Sequence, residues 1–439
     1  MPTTLHSLSP LLILAITIGL ALTRPRIGVF RVNIAGAAIL GAGLSILFDI
    51  VPPGLAMNTL RQLFFPLMTI VGLMAISSVA VQVGLLQTLA SFIAQSGKGD
   101  GGKLFSRLFW SGAIAGALFT NDAAILLFTP MVILMMEEVQ TDQWRREQKI
   151  PYYFAVLYVG NLVGALVISN PINIIAASFF HIDFLEYSLW MLLPALASML
   201  VSFWGLKWIF RKDIPKTYNI PAPYQPDSIS KKLSTPTASI LVLTLLAFMT
   251  EKLTHIPIWA IACGGAIALL SMLKIKKQSI VPVIRHIDWQ VLIFVCGIFI
   301  ISVGLRNAGF THVLGQFITD LGGGSFASHL LATSFVSAVS SAFINNHSTV
   351  GLMIWVIQDF SVSDLMTKLL VFASLIGGDL GPKMLPIGSL AALMWFRMLE
   401  KADIHISYRS YITIGIPVTL LAVLVSVLIL ILEWAVAGL

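Results

Sequence analysis

Long apolar runs separated by short polar or basic breaks repeat along the whole chain. They cover 9–23, 30–50, 62–82, 152–180, 187–206, 237–250, 257–273, 290–306, 367–396 and 411–433. A helix rises about 1.5 Å per residue and bilayer hydrocarbon is about 30 Å thick, so most of these runs predict one crossing each. The pattern therefore predicts an all-α integral membrane protein with about 10 transmembrane helices.

Two segments do not fit as single crossings: 104–137, centred on FTNDAAILLFTP, and 326–357, centred on FINNHSTVGL. Each would make a helix of roughly 50 Å, yet a polar cluster divides it into arms mostly too short to span. Re-entrant helical hairpins with polar tips near mid-membrane reconcile the two features, since non-helical backbone at that depth is tolerated where it is packed in protein or lines a cavity. Two crossings also carry helix breakers, SNPIN at 169–173 and GGDLGPKMLPIG at 377–388. Proline removes a backbone donor and glycine weakens a helix, so both predict broken helices whose exposed carbonyls and half-helix ends can hold polar solutes.

Charge supplies the sidedness. The chain has 439 residues, 57% hydrophobic and 11% charged, with a formal net charge of +7. Its Lys and Arg residues cluster in short loops beside apolar spans, where they set topology, so the positive balance does not point to nucleic acid. With 9–23 running inward, the connections 24–31, 98–107, 145–149, 207–232, 274–285 and 397–409 are cytoplasmic. All of the 27 Lys and Arg except Arg61, Lys252, Arg306, Lys368 and Lys383 fall there. Both termini are then outside. The first apolar run has no basic residue before it and Arg24 and Arg26 after it, the reverse of a signal peptide, so it reads as a first helix.

The chain also resembles itself. A shift of 225 residues places Gly72 on Gly297, Ser77 on Ser302, Gly84 on Gly309 and Asn121 on Asn346; a shift of 218 places Gly160-Asn161-Leu162 on Gly378-Asp379-Leu380. The predicted organisation is an N-terminal repeat over 1–206, a polar linker over 207–232 and a C-terminal repeat over 233–439. Each repeat has five crossings plus one hairpin, so the second copy enters from the opposite side, an inverted-topology repeat typical of secondary transporters.

Among 20 acidic residues only Asp122 and Asp379 lie deep in apolar segments, and Lys383 is the clearest basic case. Such groups cost a few kcal/mol or more unless paired or hydrated. Asp379 and Lys383, four residues apart, are expected to pair. Asp122, His347, Asp379 and Lys383 are candidates for proton coupling, since a buried carboxylate can take a proton from one side and release it to the other. Substrate contacts are expected from Thr120, Asn121, Asn161, Asn170, Asn173, Asn345, Asn346, Ser348, Thr349, Gly378 and Ser389, whose amides, hydroxyls and backbone both donate and accept. These groups suit a neutral hydroxylated solute or a partly dehydrated cation. The two cysteines, Cys263 and Cys296, fall in apolar runs and form neither a disulfide framework nor a metal site. No H-E-x-x-H, G-x-S-x-G or Cys/His cluster is present, so an intramembrane enzyme finds no support, and no fixed metal or other cofactor is expected. No ring-forming channel filter is evident.

Together, FTNDAAILLFTPMVI, SNPINIIAASFFHIDF, GGDLGPKMLPIGSLAALMW and the later HISYRSYITIG resemble the ArsB-type arsenite efflux pumps of the ion transporter superfamily, over nearly the whole chain. Pro171 within SNPIN is a departure from that family's pattern. The resemblance implies a carrier of the bacterial inner membrane that exports arsenite and antimonite in exchange for protons, sometimes partnered with a soluble ATPase. A sodium/proton antiporter is the nearest alternative. A dicarboxylate carrier fits less well, because the hairpin tips offer an acid and a histidine where an anion prefers neutral donors.

Overall fold

The computed structural model describes residues 4–27, 30–118, 121–141, 144–225 and 227–437, with only the backbone at 4–7, 27, 30–31, 121–123, 126–127 and 390. The first half comprises α1 (Thr4–Thr23), α2 (Ile34–Leu47), α3 (Pro53–Gln82), α4 (Leu85–Ser96), the hairpin α5 (Gly101–Leu118) and α6 (Asn121–Val139), the broken helix α7 (Ile150–Val159) and α8 (Pro171–Phe179), and α9 (Phe184–Ile209). The second half comprises α10 (Ser228–Met249), the short α11 (Glu251–Thr254), α12 (Ile258–Ile275), the short α13 (Val281–His286) and α14 (Trp289–Asn307). It continues with α15 (Phe310–Gly322), the hairpin α16 (Phe326–Ile344) and α17 (Asn346–Gln358), the broken helix α18 (Asp364–Leu380) and α19 (Leu390–Lys401), and α20 (Tyr408–Ala437). A two-residue antiparallel pairing, Arg26–Ile27 with Phe30–Arg31, joins α1 to α2.

Eight helices among the described residues are long and apolar enough to cross a bilayer, with Leu8–Thr23 and Ile34–Leu47 as shorter apolar helices. The protein is thus an all-α membrane protein. Two differences from the sequence expectation have physical causes. The arm α16, at 19 residues, has the length of a full crossing. The amphipathic α4 and α15 escape an apolar-run search because polar residues interrupt each of them, as in LLQTLASFIAQS. Each follows a glycine in the left-handed region, Gly84 (φ 82°) and Gly309 (φ 85°), where glycine alone turns without strain. These two glycines are one pair of the 225-residue shift.

Packing has the same reciprocity. Helix α2 packs on α14 and α3 on α12; α8 packs on α17 and α19 on α6. The second piece of each broken helix therefore rests on the hairpin of the other half. Peripheral helices expose large apolar side chains such as Trp204, Leu243, Ile267 and Leu432, as a bilayer requires, whereas α18 is buried from Leu369 onward.

Side-chain contacts group the loops at two ends. At one, Trp144 Nε1 donates to the Thr217 carbonyl (2.9 Å), Gly101 N to Lys216 (3.2 Å), Tyr224 N to Ser91 Oγ (2.9 Å) and Gln82 Nε2 to Ser279 (2.9 Å), and Arg146 bonds the Asp403 carbonyl. Part of the connection between α9 and α10 is thus a strap across the base of the first hairpin rather than a free tether. At the other end Lys368 meets Glu186 (2.8 Å), Lys252 meets Asp183 (3.7 Å), and Arg306 meets Asp359 (2.6 Å).

The second hairpin is fixed differently. Ser334 Oγ donates to the Ala373 carbonyl (2.7 Å), Ser337 and Ser374 hydroxyls are 3.0 Å apart, and Ser341 Oγ donates to the Gly378 carbonyl (2.9 Å). Side chains at Gly377 and Gly381 would overlap the α16 backbone at Ser334 and Ala338. Small residues let two backbones approach within a membrane and make such bonds reachable. Hence three of the motif's glycines, including Gly388 against Ser341 and Ala342, serve close packing.

Candidate functional site

Asp379 is the one buried carboxylate among the described residues, and it lies in the last turn of α18. Its Oδ1 accepts from Asn170 Nδ2 (2.6 Å); its Oδ2 accepts from Gly164 N (2.9 Å) and Asn173 Nδ2 (3.3 Å). All three donors come from the first half, and the acceptor comes from the second. Hydrogen bonds to an ionised group are the stronger kind, and the carboxylate also lies beside the first turn of α8, where peptide dipoles leave partial positive charge.

The sequence builds this cradle locally. After α7 the chain runs without regular helix to the 3-10 turn Val167–Ser169; Asn170 then caps α8, its Oδ1 accepting from Ile172 N (3.4 Å). Pro171 occupies the first position of α8, where its missing N–H costs nothing. It starts a helix rather than breaking one. Gly164 is required by space: a side chain there would press on Asn173, Ser169 (3.2 Å) and Asp379 (3.5 Å). Its carbonyl accepts from Tyr187 Oη on α9 (3.1 Å), which fixes the loop from behind.

The expected Asp379–Lys383 ion pair is not formed. The helix tightens to a 3-10 turn over Gly381–Lys383, with three residues per turn rather than 3.6, which rotates Lys383 off the face that carries Asp379. Its ammonium is fully buried 4.9 Å from the Tyr158 ring centroid, with no hydrogen-bond partner among the described residues. Tyr158 is itself pinned to α20 through the Ile414 carbonyl (3.2 Å), and Tyr411 of α20 donates to the Pro382 carbonyl (3.2 Å). The backbone stays helical through Leu380, so unwinding starts at Gly381, four residues later than the first glycine suggests.

At the second hairpin tip Asn345 has φ 72°, and its Oδ1 accepts from His347 N (2.7 Å), as does Asn346 Oδ1 (3.0 Å). These two amide oxygens cap α17. His347 is buried with both ring nitrogens unpartnered among the described residues, and the hydroxyls of Ser348 and Thr349 are likewise unpartnered. Val350, one turn beyond His347, meets Gly378, where Ile172 of α8 also approaches, so this tip helix abuts both halves of the site. Thr120 lies outside the described residues, and so do the side chains of Asn121 and Asp122. Their backbone starts α6, as Asn346 starts α17.

The remaining predicted residues have local tasks. Asn161 Nδ2 donates to the Leu157 carbonyl (3.1 Å) and does not reach Asp379; Ser389 caps α19 through Ala392 N (3.1 Å). Gly164, Tyr158, Tyr187 and Tyr411 were not foreseen. A tyrosine deep in an apolar run, needing a partner for its hydroxyl, was the available signal.

Residues 10–434 match the family described as ArsB, arsenical pump membrane protein. An arsenical pump membrane protein of Yersinia enterocolitica is 31% identical over 413 residues, covering 93% of this chain and 94% of that protein, and one of Escherichia coli K12 matches equally. A putative arsenical pump membrane protein of Bacillus subtilis is 26% identical, over 80% of this chain and 84% of its own length. The fold is that of the Alcanivorax borkumensis YdaH transporter (TM-score 0.57, 15% identity, 100% of this chain and 98% of that one). It is also that of Neisseria gonorrhoeae MtrF (TM-score 0.52, 12% identity, 96% and 94%).

Proposed function

The chain belongs to the ArsB family of arsenical pump membrane proteins, and we propose that it exports arsenite and antimonite as neutral As(OH)3 and Sb(OH)3 in exchange for protons. It is a multi-pass transporter of a bacterial membrane. In this reading both termini are outside, and the two repeats, inverted relative to each other, expose the site alternately to either side.

One observation carries this reading: the one described buried carboxylate joins the two halves, held by three N–H donors of the first. Protonation removes negative charge from Asp379 and turns one oxygen into a donor, so it weakens the bonds that tie α18 to α8. The carboxylate is thus both proton carrier and junction. The donors also argue against sodium. Hard cations take oxygen ligands, whereas both Asp379 oxygens face nitrogen donors.

A neutral trihydroxide both donates and accepts. Asn173 Oδ1, the hydroxyls of Ser348 and Thr349 and the His347 ring are buried polar groups without protein partners among the described residues. These groups, with the amides of Asn170 and Asn173, supply the complementary surface. Thiolate coordination is not the mode, since trivalent arsenic favours three thiolates and the chain has two cysteines, Cys263 and Cys296. Exchange of a neutral solute for a proton moves one charge, so a membrane potential contributes about 2.3 kcal/mol per 100 mV.

Uptake of arsenite into everted vesicles under an imposed proton gradient tests the proposal. Accumulation that needs the gradient and ignores sodium is expected. Sodium-dependent uptake, or none, would refute it.

A further inference from the structure

We infer that the cleft between α3, α8 and the α11–α12 corner is the outer passage connecting the Asp379 site with the outside. The inference rests on Asp379 as the transport site but names a route that the site itself does not define. The cleft has a volume of about 540 Å³, space for a small trihydroxide together with several waters. Its polar lining includes Thr69, Ser178, His181, Asp183 and Glu251.

Position gives it direction. Ala177 lines the cleft and sits four residues after Asn173 in α8, so the two occupy one helix face about 6 Å, or one turn, apart along the axis. Asn173 is the residue whose amide meets Asp379. The cleft therefore reaches to about one helical turn from Asn173, which in turn meets Asp379, and the buried Ile174, Ala177 and Thr69 form its inner lining.

Its walls suit an opening closure. On the lipid side Phe65 stacks on Trp259 with centroids 5.2 Å apart, a continuous apolar screen. Pro66, which also lines the cleft, interrupts the hydrogen-bond ladder of α3 beside Thr69, so this helix can bend there at low cost. At the rim Glu251 accepts from Phe184 N (2.9 Å) and Asp183 meets Lys252, which ties the start of α9 to the α11 corner. Burial raises the pKa of Glu251, against the pull of that hydrogen bond, so the rim acid takes protons more readily than an open carboxylate.

Cysteine accessibility tests the passage. In a transport-competent Cys263→Ser, Cys296→Ser background, Ser178→Cys is expected to react rapidly with a membrane-impermeant thiol reagent added to intact cells. Ala177→Cys is expected to react more slowly and only during turnover, and Val418→Cys, buried between α9 and α20, not at all. Ala177→Trp should abolish arsenite flux at normal protein levels, while Ala177→Ser should not. The passage is wrong if Ala177→Cys reacts only from the cytoplasmic face or not at all, or if Ala177→Trp transports normally. A failure of the Asp379 reading would look different: Asp379→Asn would retain gradient-driven uptake while the labelling pattern stood.

Discussion

The two broken helices share a plan and differ in charge. Each runs through a helix, an irregular segment, a 3-10 turn and a polar N-cap, Asn170 in one and Ser389 in the other, into a second short helix. The first carries amide donors and no charge at its break; the second carries Asp379 and Lys383. Donors and acceptor are therefore divided between the halves, and the site exists only where they meet. A symmetric scaffold has been made chemically asymmetric at the one place where symmetry would set like against like.

Removing the charge is the strongest way to break this asymmetry. Asp379→Asn should insert normally but lose gradient-driven arsenite uptake to background, and moving the acid across with Asn161→Asp in that variant should not restore it, because Asn161 lies outside the donor cradle. Everted-vesicle flux reads both. Next in size is Gly381→Ala, which forces a methyl group into the Ala338 carbonyl. Overpacking of this kind costs about 1–3 kcal/mol, visible as a lowered melting temperature in detergent. No comparable loss is expected at Gly264, where nothing lies near.

Asn173→Ala probes the other partner. It removes one donor to an ionised group, worth about 1.5–3 kcal/mol, and should shift the pH dependence of uptake toward higher pH, since the charged form of Asp379 loses support relative to the protonated form. A pH profile unmoved by the substitution would separate Asn173 from proton coupling. Ser337→Ala, in the α16–α18 contact, should be mildest, at about 0.6 kcal/mol with transport retained.

The crossings, both hairpins and the breakers were legible because the bilayer admits few solutions for apolar runs of fixed length. Asp379 was legible for the same reason, as a charge that needs an account. Its partnership was misread, because four-residue spacing brings side chains together only on a regular α-helix, and the chain tightens at Gly381. Asn170 and Asn173 are legible as polar groups at the first break, but their bonds to the carboxylate are not. That link crosses more than 200 residues of sequence, between halves whose relative packing no local pattern encodes. The tyrosines behind the site were hidden similarly, each bonding a backbone carbonyl of another element.

If Asp379 and the solute share one site, arsenite binding and protonation exclude each other. Proton release by purified protein in weak buffer, on addition of arsenite, measures this directly. Release from the unaltered protein, lost in Asp379→Asn, is expected. Arsenite binding without proton release, or equal release from both proteins, would contradict it.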